Sequence, residues 1–287
     1  MNRMKMSAVI MLAAVCAVAS GCGEVKTGNT PSAQSESAVE SVTESTEPKY
    51  SKESELSDET VVIAGKSYSK SEEELFLWGV PLTDSDINKL SEFDNLKNLS
   101  VDLLAEGCEI TNLNALSQLD SLEVLAIDGT YSDFFFLGDM KNLKELSFRH
   151  CYCDEFENVP RNTDIAVLSL DECDIADTSS LSNFGNLTEL ELNHFESDNM
   201  SGIGELDRLE RLSWTFYDAD ITDFGFLGNV STLKKLVFIP MPYDDNVYDL
   251  SPLMNCSKLE RLELNCGFDE VQLNELKNRL ADCEIIT

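Results

Sequence analysis

A hydrophobic triplet recurs along this chain at a spacing that few architectures use. The pattern Leu-x-x-Leu-x-Leu, with aliphatic or aromatic substitutes, appears as Leu96/Leu99/Val101, Leu122/Leu125/Ile127, Leu143/Leu146/Phe148 and Ile165/Leu168/Leu170. It continues as Leu187/Leu190/Leu192, Leu209/Leu212/Trp214, Leu233/Leu236/Phe238 and Leu259/Leu262/Leu264. A degenerate copy, Leu280/Cys283/Ile285, follows, and Leu75/Leu77 makes a partial one in front. Successive first positions lie 26, 21, 22, 22, 22, 24, 26 and 21 residues apart. A helix stripe repeats every ~3.6 residues and independent strands keep no fixed spacing, so this period specifies stacked coils. Within each coil the last two apolar residues are two apart and point to one side of a short strand. The first seals the incoming turn. A second apolar group fills the far side, visible as Ile110/Leu113/Leu116, Ile175/Leu181, Ile221/Phe224/Leu227 and Leu250/Leu253. One coil cannot bury its own face, whereas a stack shares one continuous core.

These triplets resemble the leucine-rich repeat, especially the subtype of about 22 residues in internalin-like bacterial surface proteins. The resemblance covers about Glu74 to Thr287. It implies an α/β solenoid of about 9–10 turns with a parallel sheet on its concave face, and recognition of a protein partner through that face. The chain departs from the family where an inward Asn usually closes the motif: Thr130, Cys151, Cys173 and Phe195 stand there. Glu59–Tyr68, with Val61-Val62-Ile63 and then Gly65, reads as a strand and turn. A cap is therefore expected over 59–74 and the repeat domain over 75–287. Val271–Leu280 is apolar at Val271, Leu273, Leu276 and Leu280, a short helix ahead of a last strand at Cys283–Ile286.

The segment ahead of the repeats has a different character. Arg3 and Lys5 precede Ser7–Ala19, an apolar run shorter than the ~20 residues a membrane-spanning helix takes. This reads as a secretory signal over 1–21. Ala19-Ser20-Gly21-Cys22 resembles the lipobox of bacterial lipoproteins, with Ala19 where Leu is commoner. The resemblance implies that Cys22 is diacylated, with palmitate-type chains, and tethers the protein to the extracytoplasmic side of the cell membrane. An ordinary signal peptide beside a chance Cys is the alternative. Ser, Thr and Glu then dominate residues 22–58, which bury too little apolar surface to offset ordering entropy. A disordered tether is expected, with a coil reach of roughly 35 Å.

The charge balance narrows the function. Fifty-three Asp and Glu face 21 Lys and Arg, a net charge of −32, and loss of Arg3 and Lys5 with the signal takes it to −34. That field repels phosphate backbones, so nucleic acid is excluded as a partner. Nine cysteines include Cys16 in the signal and Cys22, leaving seven in the repeats, and an odd count argues against a fully paired framework. Cys151 and Cys173 occupy the same inward position on adjacent coils, about 4.8 Å apart, within a disulfide's reach. Buried thiols are equally a common small core filler, so both states stay open. Cys151-Tyr152-Cys153 lacks the spacing of a zinc ribbon.

Aligning the repeats exposes columns of outward residues. The residue before the second apolar position reads Asn98, Val124, Glu145, Val167, Glu189, Arg211, Lys235, Arg261. Between the inward pair stand Ser100, Ala126, Ser147, Ser169, Glu191, Ser213, Val237, Glu263. Three consecutive cations form either a strip neutralised by Glu191 and Glu263 or a docking surface for an acidic partner segment. Glu145, Arg149, Asp171, Glu189, Glu191, Arg211, Lys235, Arg261 and Glu263 are the candidate binding residues, with Phe216 as an aromatic anchor beside Phe76 and Trp78.

Two residues past the last inward position stand His150, Glu172 and His194, which include both histidines of the chain. These residue types can ligate Zn²⁺ or form a solvated rim, and the expectation is a rim with no metal or cofactor. The acidic turns Asp171-Glu172-Cys173-Asp174 and Tyr217-Asp218-Ala219-Asp220 lack the Gly and terminal Glu of a calcium loop. No nucleophile elbow, phosphate-binding loop or dinucleotide fingerprint occurs. The chain thus reads as a membrane-anchored binding module rather than an enzyme. The alternative is a structural envelope protein that organises neighbouring surface components.

Overall fold

A computed structural model gives the architecture and describes residues 59–131, 133–152, 159–161, 164–197, 199–216, 224–240 and 247–287. The expected signal and tether with Cys22, together with Cys153, Ile221 and residues 217–220, lie outside the described residues.

The chain enters as a hairpin, β1 (Thr60–Ile63) and β2 (Lys66–Ser69), paired Ile63↔Lys66 across Ala64-Gly65. Both turn residues have positive φ, 45° and 79°, the geometry whose twist matches an antiparallel pair. Val61 and Ile63 bury one face of the hairpin. A six-residue helix, α1 (Asp84–Lys89), starts at a capping box in which Thr83 and Asp86 bond each other's backbone N–H. The Asp86 carboxylate also accepts from Ala64 N at 3.0 Å, the strained turn residue of the hairpin. One carboxylate therefore fixes both the helix start and the hairpin on it.

Next comes the sheet. β3 (Glu74–Leu77), β4 (Asn98–Asp102), β5 (Val124–Asp128), β6 (Glu145–Arg149) and β7 (Val167–Asp171) follow one another in parallel. β8 (Glu189–Asn193), β9 (Arg211–Phe216) and β10 (Lys235–Pro240) extend them in the same order. The short pair β11 (Val247–Tyr248) and β13 (Gly267–Phe268) lies apart, while β12 (Arg261–Leu264) and β14 (Glu284–Ile286) complete ten strands. The register pairs Leu146 with Leu168, Leu168 with Leu190 and Leu190 with Leu212, as the triplets require. A parallel strand needs a crossover to return; here it is a short 3₁₀ turn on the far side, as in Asn114–Gln118, Thr178–Asn183, Ser201–Glu205 and Gly225–Asn229. A 3₁₀ turn eclipses residues three apart, which is why Leu113/Leu116, Phe224/Leu227 and Leu250/Leu253 all face inward.

Where the coils lengthen, larger rings fill them. Trp214 takes a leucine position and packs edge-on to Phe224 and Phe238 at 5.6 and 5.5 Å, and Tyr248 sits 5.3 Å from Phe238. The helix α2 (Glu270–Arg279) follows the last full coil, capped by Asp269 on Val271 N and Gln272 N.

Three sequence expectations need correction. The terminal copy sits two residues later than its leucine spacing suggests, because Ile285 pairs with Leu262; the turn after α2 uses Leu280 and leaves Cys283 ahead of the strand. Val271 is 65% exposed, so α2 buries Leu273 and Leu276 instead. Thr130 is exposed, while Cys151, Cys173 and Phe195 at the equivalent position are buried; its hydroxyl turns outward to His150 O at 3.5 Å. Cys173 takes over part of the bonding expected of an inward Asn, its Sγ donating to Phe148 O and Asp171 O at 3.5 and 3.4 Å. Cys151 and Cys173 are both thiols, and burial pushes that of Cys173 up to about 12.

Candidate functional site

Because side chains alternate along a strand, the outward residues of ten parallel strands stand in ruled columns. The first runs Glu145, Val167, Glu189, Arg211, Lys235, Arg261 and ends at Glu284. The second runs Ser147, Ser169, Glu191, Ser213, Val237, Glu263. The third includes Asp102, Asp128, Arg149, Asp171 and Asn193. All nine charged candidates therefore share the sheet face. Phe216 ends β9 opposite Pro240, and its side chain lies outside the described residues. Phe76 lies on this face at 49% exposure, whereas Trp78 is half-buried.

The three cations are not equivalent. Arg211 bonds the Glu189 carboxylate on the preceding strand, and this raises its affinity for its proton. Arg261 reaches Glu284 at 2.7 Å and Glu263 at 3.4 Å. Lys235 is exposed and makes no ion pair within 4.0 Å among the described residues. Glu189, Glu191, Arg211, Ser213, Lys235 and Val237 surround a pocket of about 100 Å³. The half-buried Glu191 is held above the ordinary carboxylate range by burial, then by repulsion from Glu189, against a smaller opposing pull from Lys235.

A second cluster lies where the strands end. His150, Glu172 and His194 have φ of 50°, 51° and 50°, and Gly129 occupies the same repeat position at 117°. Side chains other than glycine disfavour this region. Here each N–H donates to the next strand: His150 N to Asp171 O at 3.0 Å, Glu172 N to Asn193 O and His194 N to Thr215 O at 2.8 Å. The side chains are thereby turned onto the rim. His150 Nδ1 lies 2.7 Å from Asp128 Oδ1 and its Nε2 2.8 Å from Glu172 Oε2. Both contacts are hydrogen bonds only when both ring nitrogens carry protons. Arg149 lies 3.4 Å from both Asp171 and Glu172.

Burial opposes ionisation at both carboxylates, with different outcomes. At Glu172, His150 and Arg149 outweigh it and the carboxyl falls below its ordinary range. At Asp171, burial prevails over Arg149 and the carboxyl is raised.

The suggested metal trio of His150, Glu172 and His194 is not the set that converges. Asp171, Glu172 and His194 bring ligand atoms within 4.8 Å of one another, while His150 is held by Asp128 and Glu172. A cation at Asp171 and Glu172 would meet the Arg149 guanidinium already there. Asp128, a member of the third column, escaped the sequence reading of this rim, although that column would have shown it.

No protein-family model matches the chain, and no curated protein matches it either. Solved structures do. An internalin of Listeria monocytogenes (inlF) superposes with a TM-score of 0.52 at 20% identity, covering 78% of this chain and 70% of that one. This chain has the internalin-like leucine-rich repeat fold. An internalin C2 of the same organism gives 0.49 at 21% identity, covering 70% and 83%. A leucine-rich repeat protein of Leptospira interrogans gives 0.46 at 16%, covering 70% of this chain and 62% of its own. In this leucine-rich repeat the columns above form one face of the solenoid sheet.

Proposed function

We propose that this leucine-rich repeat is a membrane-tethered, extracytoplasmic recognition module that binds a protein partner on its sheet face. The observation that carries the reading is the ruled face itself: side chains of many strands held at a fixed pitch, with the ion-paired column and the pocket on the same surface. A rigid scaffold of this kind presents a partner with preorganised contacts, which lowers the cost of binding. The tether and anchor rest on the lipobox-like Ala19–Cys22 and the Ser/Thr/Glu-rich stretch after it. No helix among the described residues is long and apolar enough to cross a membrane.

Two measurements test the proposal. Cys22→Ala should move the full chain from the membrane fraction to the soluble one; retention of the processed variant in membranes overturns the anchor. Hydrogen exchange of the full chain with and without surface proteins of the producing cell should show saturable protection confined to β4–β12. Protection only between copies of the chain would instead favour the structural-envelope role.

A further inference from the structure

The pocket between β8, β9 and β10 holds four charged groups that are unequally satisfied. Arg211 is ion-paired to Glu189. Lys235 is exposed, and an exposed ammonium left to water costs little. Glu191 differs from both. It is half-buried, accepts a hydrogen bond from Ser169 on the preceding strand, and makes no ion pair within 4.0 Å among the described residues. A carboxylate partly removed from water with no cation in contact is the costly member of such a set. Glu191 and Lys235 face the same cavity of about 100 Å³ without meeting across it. The floor beside them, Ser213 and Val237, is small, leaving room above the backbone.

We propose that this pocket receives a cationic side chain, Lys or Arg, from a basic segment of the protein partner, seated against the Glu191 carboxylate. The proposal deepens the recognition reading and rests on it. Charge complementarity selects the occupant. Glu189 and Glu145 repel the Glu191 charge, while Lys235 and the ion-paired Arg211 attract it without coming within 4.0 Å, so a cation placed in contact with the carboxylate has no rival there among the described residues. Over longer range a chain of net charge −32 attracts a basic partner and repels an acidic one. The cationic column does not reverse this, because Arg211 and Arg261 already hold glutamates. Burial raises that carboxyl above its ordinary range, so an incoming guanidinium or ammonium competes with a proton for the same oxygens. Binding should therefore weaken on acidification as that carboxyl becomes protonated.

An unbiased library of 12-residue peptides panned against the immobilised full chain tests the proposal. The expected result is enrichment of Lys- or Arg-bearing peptides whose affinity falls at least about tenfold on Glu191→Gln, as loss of one charge-assisted contact entails. Lys235→Ser should leave that affinity unchanged or raise it. Glu191→Gln is nearly isosteric, and an unchanged melting temperature confirms that the comparison is between folded proteins. Enrichment of acidic peptides lost on Lys235→Ser overturns the cation assignment and keeps the sheet-face reading. So does a less than about twofold response to Glu191→Gln, where the threshold corresponds to a fraction of one hydrogen bond. Absence of any enriched peptide, together with no exchange protection on β4–β12, removes both.

Discussion

The strand side and the 3₁₀ side of this solenoid bury the same residue types, yet they tolerate change for different reasons. On the strand side the backbone ladder sets the distance between coils at about 4.8 Å. Inward side chains fill a space of fixed width, and outward ones are free to vary. Away from the sheet the described residues carry only isolated bridges, such as Asp177↔Asn199, and the distance between coils is set by what the turns carry. Between the turns at Thr178–Asn183 and Ser201–Glu205 the approach is so close that a Cβ on Gly202 would stand 1.9 Å from Thr178 O. Thr178 is fully buried there, with its hydroxyl donating to Asn199 O at 2.8 Å and accepting from Gly202 N at 3.2 Å. Other coils place Phe136 or Phe226 at the equivalent position. Spacing on this side is thus local, and on the strand side it is collective.

The sharpest break of this comparison comes from a neighbouring pair on β8. Leu190 is wholly buried, and Leu190→Ala should cost about 2–5 kcal/mol through lost burial and the cavity left behind. Glu191→Ala, one residue away and outward, should cost less than about 0.5 kcal/mol, because the hydrogen bond from Ser169 that it gives up is offset by removal of a half-buried charge. Denaturant unfolding of both variants gives the two numbers. Equal losses would mean that the ladder does not separate the faces.

Two glycines sharpen the other half. Gly202→Ala should destabilise by about 3 kcal/mol, the upper part of the range for overpacking, because the atoms it meets are backbone and cannot rotate away. Gly185→Ala, where nothing lies within 4 Å of the new methyl, should be neutral or stabilise by up to ~1 kcal/mol through the unfolded chain. Thermal melts of the pair are sufficient. Similar behaviour at both sites would show that the far side yields as readily as a loop.

What could be read in advance follows the same division. Strand positions were legible because Leu-x-x-Leu-x-Leu reports a period-2 face directly, and nine of the ten paired strands carry its last two apolar positions in register. The terminal copy slipped because Leu280 to Ile285 keeps an apolar spacing while α2 redefines where the coil begins. The role of Gly202 was not legible, since it depends on Thr178, 24 residues earlier on another coil. The register puts the charged candidates on the sheet face, but their pairing was not legible, because Arg211 reaches Glu189 in its own column rather than Glu191 in the next one. The left-handed rim at His150, Glu172 and His194 was equally hidden. Only in Gly129 does the residue type announce that geometry.

At the hairpin end the comparison becomes pH-dependent. Burial opposes the charge on Asp86, but hydrogen bonds from Ala64 and Thr83 and the nearby Lys89 prevail, so its carboxyl sits below the ordinary range. A carboxylate depressed in the folded state contributes stability above its unfolded value, about 3.9. That contribution is lost as pH falls from there through the folded value. Asp86→Asn should cost about 1–3 kcal/mol at neutral pH, the range for a buried hydrogen-bonded network, and flatten the acid limb of a stability–pH curve. A limb of unchanged slope would show that the cap does not depend on this charge.

The smallest expected effects lie in the cationic column and test whether fixed spacing alone makes neighbours interact. Arg211, Lys235 and Arg261 are successive members of that column at the common strand pitch. Uniform repulsion would make removal of any one of them stabilising. The pairing argues otherwise. Arg211→Ser leaves Glu189, with a side chain only 21% exposed, beside Glu191 without its partner. Screening by solvent limits the loss to about 0.5 kcal/mol. Lys235→Ser removes a cation that makes no ion pair and relieves repulsion on both arginines, while also withdrawing its modest help to Glu191. These opposed changes should cancel to within about 0.3 kcal/mol at physiological ionic strength. Measured in low and high salt, Arg211→Ser should lose its effect as salt rises, and Lys235→Ser should show little at either. A clear gain in stability from Lys235→Ser that vanishes in salt would mean that repulsion among the cations of the column, rather than their pairing with its glutamates, governs this face.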